Sequence, residues 1–141
     1  MRSRKSLLTG WLICLLAAIF YLYEYSLRIM PTVMTHSLMQ TYNTNATELG
    51  NLTAFYYYAY APMQLFVGIF LDKFSVRKLI TIACLVCALG SYLFACSHWL
   101  ALAEFGRLLV GLGSAFAFVA VLKLATIWLP PNRFAMVVGL T

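Results

Sequence analysis

The stretch GIFLDKFSVRK, residues 68–78, is a short polar connection between two long apolar runs of the chain. Its one acid, Asp72, follows Gly68 by about one helical turn. Its three bases are Lys73, Arg77 and Lys78. A carboxylate at the carboxyl end of a helix meets the negative pole of the helix dipole. We therefore expect Asp72 to have a partner, either Arg77 across the turn or the amino end of another helix, and Gly68 to allow close helix packing.

The rest of the chain is strongly apolar. Of its 141 residues, 63% are hydrophobic and 10% are charged, which is typical of a membrane protein and not of a soluble domain. The long apolar runs cover about 7–30, 50–71, 79–97 and 100–128. Each is long enough to cross a hydrocarbon core about 30 Å thick. The sequence predicts an all-α membrane protein with four transmembrane helices and the start of a fifth from about 134.

Lysine and arginine residues indicate the orientation of these helices, because they stay on the cytoplasmic side of a membrane. In an alternating topology one side receives Arg2, Arg4, Lys5, Lys73, Arg77, Lys78 and Arg133. The connections on the other side, 31–49 and 98–99, contain no lysine or arginine. We expect a multi-pass protein of a plasma or bacterial inner membrane with a cytoplasmic amino terminus. Topology then explains the net charge of +6 without nucleic acid as a partner.

Two motifs suggest a family. The connection resembles the signature of the major facilitator superfamily: Gly, three residues, Asp, Arg or Lys, one residue, Gly, one residue, two bases. The matching residues are Gly68, Asp72, Lys73, Arg77 and Lys78, with Ser75 at the position of the second Gly. In RLLVGLGSAF, residues 107–116, a further pattern is similar to one in the family's fourth helix, and its residues are Arg107, Gly111 and Gly113. The stretch NRFAMVVGL, residues 132–140, is similar to the start of the family's fifth helix.

The resemblance implies a secondary transporter that works by alternating access. Members have twelve helices in two halves, each built from inverted three-helix repeats, so the chain corresponds to the first third of such a protein. The end within AMVVGLT favours truncation, because nine apolar residues are too short to span. The family's connection between helices two and three helps to lock the outward-facing state. The resemblance gives Asp72 and its neighbours that role, and gives Gly111 and Gly113 a role in helix packing.

Charged residues inside the predicted spans are costly and are therefore candidates for function. Two interpretations stay open for Glu24 and Arg28. In the first, they form a polar cluster with Arg107, because the resemblance places helices one and four at the central cavity. In the second, each acid neutralises a neighbour on its own helix, Glu24 with Arg28 and Glu104 with Arg107. The functional hypothesis is that Glu24 takes up a proton while Arg107 orients an anionic substrate or modulates that proton.

Two more residues are candidates for a cavity or substrate site. Lys123 lies near the inner end of the last long run, where it either reaches the membrane surface or contacts substrate from the cytoplasmic side. Gln64 is a candidate cavity residue, together with one or two of the tyrosines at 56–60. The excess of intramembrane bases favours an organic anion as the small-molecule substrate. With Glu24 as a proton acceptor, the complete protein is expected to be a symporter that moves this anion with protons.

Other classes of protein remain open at this point. A free-standing four-helix protein that forms homo-oligomers is one, since a second copy would cover polar surfaces that the absent transporter helices otherwise cover. An inactive remnant of a transporter gene is another. An enzyme is not expected, because no catalytic cluster is present, and His36 and His98 lack metal-ligand spacing. We expect no cofactor and no metal, and the lipid bilayer as a constant partner.

Overall fold

The computed structural model describes the backbone of residues 4–128 and 139, with side chains from residue 9 onward. Residues 4–128 form five α-helices in the order α1 (Arg4–Val33), α2 (Thr35–Tyr42), α3 (Ala46–Lys73), α4 (Val76–Cys96) and α5 (Leu100–Trp128). The prediction of an all-α chain is confirmed over this range. The further helix predicted from 134 falls, apart from Gly139, outside the described residues.

Three of the helices in the described range are long and apolar enough to cross a membrane. The spans are Thr9–Val33, Val76–Cys96 and Leu100–Trp128. Helix α3, which contains the predicted span 50–71, has 28 residues and a length of about 42 Å at 1.5 Å per residue. It has sufficient length but is not among these three spans, and its four tyrosines at 56–60 together with Gln64 add polar groups to its middle. The fold is that of an integral membrane protein.

Helix α5 is the centre of the bundle. It packs against α1, α3 and α4. Of the 18 consecutive residues that make its most apolar stretch, 56% are buried inside the bundle, compared with 17% for the corresponding stretches of α1 and α4. Between helices in a membrane, close packing replaces the hydrophobic effect as the driving force, so small residues are favoured at the contacts. The buried small residues of α5 are Ala103, Gly106, Gly111, Gly113, Ser114, Ala115, Ala117, Ala120 and Ala125. Helices α1, α3 and α4 therefore pack around α5.

Glycine allows the closest approach between α4 and α5. A Cβ atom added at Gly90 would lie 2.7 Å from the carbonyl oxygen of Gly106, and one added at Gly106 would lie 2.7 Å from the carbonyl oxygen of Gly90. Real Cβ atoms do not approach oxygen so closely. The two helices therefore touch backbone to backbone at this pair.

Helix α2 lies within the segment 31–49, which the sequence predicts to be a connection. Its Leu38 is buried against Leu49 and Leu52 of α3 and Ala103 of α5. The turn after α2 passes through Asn43, which has the left-handed φ of 49°. Helix α3 then begins with a capping box, in which the Asn45 side chain accepts from the Glu48 amide at 2.9 Å. Helix α2 thus covers one end of the bundle, called here the α2 end.

Candidate functional site: a buried acid and two arginines around one tyrosine

Glu24 of α1 is buried inside the bundle, with 2% of its surface exposed. The hydroxyl of Tyr56, on α3, donates a hydrogen bond to its Oε1. A buried carboxyl group is tolerated only when hydrogen bonds or charges compensate for the lost water. Tyr56 provides this compensation from another helix, so the side chain that holds Glu24 is not on α1.

Tyr56 is completely buried and lies in an aromatic group that we call the tyrosine cluster, composed of Tyr56, Tyr57 and Tyr60. Its ring stacks on Tyr60 with 5.5 Å between centroids and meets Tyr57 edge-on at 5.1 Å. Both arrangements are favourable for aromatic rings. Because two rings hold the Tyr56 ring, its hydroxyl has a defined position towards Glu24.

Arg28 lies one turn after Glu24 on α1, but it faces the tyrosine cluster. Its Nε donates to the Tyr57 hydroxyl at 3.2 Å. Its guanidinium carbon lies 5.1 Å from the ring centre of Tyr57 and 5.6 Å from that of Tyr60. Cation–π attraction at these distances stabilises a positive charge where water is scarce. The cluster therefore holds a partly exposed arginine beside a buried acid.

Arg107 of α5 is more deeply buried, with 3% of its surface exposed. Its guanidinium carbon lies 5.1 Å from the Tyr56 ring centre and 5.9 Å from that of Phe94. Its Nη1 donates to the main-chain carbonyl of Leu27 at 2.8 Å. Its buried Nε has no hydrogen-bond partner among the described residues. Arg107 thus contacts the same tyrosine as Glu24, from another helix.

The three charges meet around Tyr56, not in direct ion pairs. Within residues 9–128, no salt bridge joins Glu24 to Arg28 or Glu104 to Arg107, so neither same-helix pair is formed. In the sequence, Tyr56 is one of four tyrosines at 56–60, and no charge or motif distinguishes it from its neighbours. The available signal was its spacing of four from Tyr60, which places both rings on one face of α3.

A cavity of about 480 Å³ lies at the α2 end of the bundle. Its wall is mainly apolar, and its polar lining residues are Thr41, Tyr42, Ser91, Ser97 and Arg107. The hydroxyls of Tyr42 and Ser97 are hydrogen bonded to each other at 2.6 Å. Ser91 Oγ, like Arg107 Nε, is buried without a hydrogen-bond partner among the described residues. This volume lies in the range of small-molecule sites in proteins.

Asp72 and Lys123 form a salt bridge at the opposite end of the bundle. The distance from Lys123 Nζ to Asp72 Oδ1 is 2.6 Å. The expectation that Asp72 pairs with Arg77 or with the amino end of a helix is therefore wrong. Neither interpretation of Lys123, as a residue that reaches the membrane surface or as a substrate contact, predicted its ion pair with Asp72. The bridge ties α3 to α5 across 51 residues of sequence.

The three bases of the connection are solvent-facing in this chain. Lys73, Arg77 and Lys78 are exposed. A Cβ atom added at Gly68 would have no described neighbour within 4 Å, so the expected close packing at Gly68 is absent from the described residues. Gln64 is half-buried on α3.

The two motif glycines of α5 lie at helix contacts. A Cβ atom at Gly111 would overlap the main-chain carbonyl oxygen of Tyr56 and lie 3.3 Å from the Ala59 Cβ. A Cβ atom at Gly113 would lie 2.7 Å from the carbonyl oxygen of Ala83 and 2.6 Å from Cys87 Sγ. Gly111 faces α3 and Gly113 faces α4. Gly111 therefore brings α5 against the residue that binds Glu24.

A helical membrane bundle with a buried acid and two arginines around one tyrosine is the kind of structure expected of a transport protein. Comparison with protein families agrees, since residues 13–141 match the Major Facilitator Superfamily. The chain belongs to this superfamily, and it is a transporter-family protein and not an enzyme.

Two curated relatives carry transporter names. The uncharacterized transporter YybO of Bacillus subtilis (strain 168) is 32% identical over 125 residues, which cover 89% of this chain and 29% of that protein. The probable sulfoacetate transporter SauU of Cupriavidus necator is 23% identical over 123 residues, 87% of this chain and 29% of that protein. The chain thus spans under a third of the length of these relatives. No solved structure matches the chain.

Proposed function

We propose that the chain is the amino-terminal part of a secondary transporter that moves a small organic anion together with protons by alternating access. In this proposal α1, α3, α4 and α5 are four spanning helices, a fifth begins near 134, and the amino terminus is cytoplasmic. The observation that carries the proposal is the buried Glu24–Tyr56 pair, with the guanidinium groups of Arg28 and Arg107 within 6 Å of the Tyr56 ring centre.

Glu24 is the proposed proton carrier. Its carboxyl group is buried and can gain or lose a proton, whereas the guanidinium groups of Arg28 and Arg107 keep their charge. As a carboxylate, Glu24 accepts from the Tyr56 hydroxyl; once protonated, it can also donate. Proton uptake therefore changes the hydrogen bonding between α1 and α3. Helix α1 also forms part of the cavity wall, through Leu27, Met30, Pro31 and Met34.

Arg28 is the proposed contact for the anion. It is partly exposed, while its hydrogen bond to Tyr57 and the cation–π contacts fix its position. Arginine suits carboxylate, sulfonate and phosphate groups, because its planar fork offers parallel N–H donors. The name of one relative, a probable sulfoacetate transporter, fits a small organic anion as the substrate class.

Asp72 and Lys123 are proposed to belong to the conformational lock. Their salt bridge joins the ends of α3 and α5, next to the exposed bases of the 68–78 connection. A lock of this kind must break and re-form during each transport cycle. An exposed ion pair suits this role, since its strength is on the order of 1 kcal/mol or less.

The test is transport by a protein that includes this chain, reconstituted in vesicles with an imposed pH gradient. Glu24→Gln keeps the shape of the side chain and removes its titration. We expect loss of gradient-driven accumulation of a labelled organic anion, with exchange of anion across the membrane retained.

Glu104→Gln is the matched control, because it makes the same chemical change at a half-buried acid of α5. The Tyr56 hydroxyl donates to Glu24 and not to Glu104. Glu104→Gln should leave accumulation unchanged. If Glu24→Gln also leaves pH-driven accumulation unchanged, Glu24 is not the proton carrier. Sequencing of the gene beyond codon 141 identifies the rest of the protein to be used.

A further inference from the structure

Pro31 lies inside α1, close to its carboxyl end. A proline has no main-chain N–H, so the carbonyl four residues earlier loses its helical donor. In α1 this carbonyl belongs to Leu27. A buried carbonyl without a donor costs free energy, and another group normally satisfies it.

The guanidinium of Arg107 satisfies this carbonyl. Arg107 Nη1 donates to Leu27 O at 2.8 Å, and both Pro31 and Leu27 lie beside Arg107 in the wall of the 480 Å³ cavity. We infer that Arg107 is a positioning residue, which supplies from α5 the hydrogen bond that Pro31 removes from α1. A motif arginine and a helix-interior proline thus act as a pair.

This hydrogen bond fixes the turn of α1 that carries the charged site. Leu27 lies three residues after Glu24 and directly before Arg28. Helix α1 packs mainly on α5 and only slightly on α3. The tether from Arg107 therefore sets the height and rotation at which Glu24 and Arg28 meet the tyrosine cluster. This role goes beyond the proposed transport function and does not depend on which solute is carried.

The inference separates two roles of Arg107 that a simple loss-of-function variant would confuse. If Arg107 acts through the Leu27 carbonyl, Pro31→Ala makes it dispensable, because the alanine introduced there has a main-chain N–H that donates the missing helical hydrogen bond. If Arg107 acts only through its charge, Pro31→Ala shifts the unfolding midpoint of the unchanged chain and of the Arg107 variant by the same amount. The double variant is therefore the decisive sample.

The measurement is the carbonyl chemical shift of Leu27 in the 141-residue chain in detergent micelles. A leucine followed by an arginine occurs once in the sequence, at Leu27–Arg28. Labelling leucine with ¹³C at the carbonyl and arginine with ¹⁵N therefore gives one cross-peak in a carbonyl–amide correlation spectrum. Carbonyl shifts respond directly to hydrogen bonding.

We expect Arg107→Gln to move this cross-peak and to lower the thermal unfolding midpoint. We expect Pro31→Ala combined with Arg107→Gln to return the cross-peak and most of the midpoint towards their original values. The matched control is Arg28→Gln with and without Pro31→Ala, with the midpoint as readout. Arg28 is not the donor to Leu27 O, so Pro31→Ala should raise the midpoint of the Arg28 variant by no more than it raises that of the unchanged chain.

The inference is overturned by an unmoved cross-peak in Arg107→Gln, by no restoration in the double variant, or by equal restoration of the Arg28 variant. If Arg107→Gln alone cannot be recovered folded, recovery of the folded double variant supports the inference. Failure of both to fold, while Pro31→Ala alone folds, overturns it. Transport is not measured here, so the result is independent of the proposed function.

Discussion

The contact between Gly111 and the Tyr56 main chain predicts that one added methyl group separates α5 from α3. In Gly111→Ala the new Cβ would overlap a carbonyl oxygen, which belongs to the backbone and cannot rotate away. Relief requires a shift of one helix. Because the shifted residue is Tyr56, we expect its hydrogen bond to Glu24 to weaken as well.

Two free-energy terms of opposite sign determine how much Gly111→Ala changes the unfolding free energy. Alanine is preferred over glycine in a helix interior by about 1 kcal/mol. Overpacking of a tight contact costs about 1–3 kcal/mol. We therefore expect the free energy of unfolding of Gly111→Ala to be unchanged at best and lower by about 2 kcal/mol at worst.

Gly68→Ala isolates the packing term. Gly68 also lies inside a helix, but an added Cβ there has no described neighbour within 4 Å. The propensity gain is common to both variants and cancels in their difference. We expect Gly68→Ala to exceed Gly111→Ala in unfolding free energy by about 1–3 kcal/mol, measured by reversible denaturation in micelles. Equal stability of the two variants would refute the close contact at Gly111.

Three other substitutions test the site and the connection. Tyr56→Phe keeps the ring but leaves Glu24 without its hydrogen-bond donor. We expect an unfolding free energy lower by about 1–3 kcal/mol and weaker proton-driven uptake. Normal uptake would contradict the assigned Glu24–Tyr56 pairing. Asp72→Asn should depress transport in a transport assay but preserve substrate binding in a binding assay. Equal loss of transport and binding would indicate that Asp72 is needed for folding. Lys123→Met removes an exposed ion pair and should change unfolding free energy by less than about 1 kcal/mol; a larger loss on denaturation would show that the bridge is structural.

Hydrophobic pattern was a good guide to the long helices and a poor guide to short ones. The predicted runs 7–30 and 100–128 lie within a few residues of Arg4–Val33 and Leu100–Trp128, because a long apolar run has few alternatives to a helix. Helix α2 was missed, since its eight residues contain too few apolar positions to show a period. Its formation depends on burial of Leu38 against α3 and α5.

The charged residues could be chosen from sequence, but their partners could not. Glu24, Arg28 and Arg107 stand out because charges are rare in apolar runs. Their contacts depend on which helix faces which, and the spacing rules for a single helix predicted pairs that the structure does not contain. Tyr56 contacts all three side chains, yet a tyrosine in an aromatic run carries no sign of that role.

The amino-acid sequence by itself determined the membrane class, the long helices and the superfamily motifs, because these depend on local composition and spacing. Tertiary structure decided the Asp72–Lys123 bridge, which requires the ends of α3 and α5 to be neighbours. It also decided that Arg107 binds the Leu27 carbonyl. A main-chain acceptor that a proline has left free becomes a partner only when another helix brings a donor within hydrogen-bond distance.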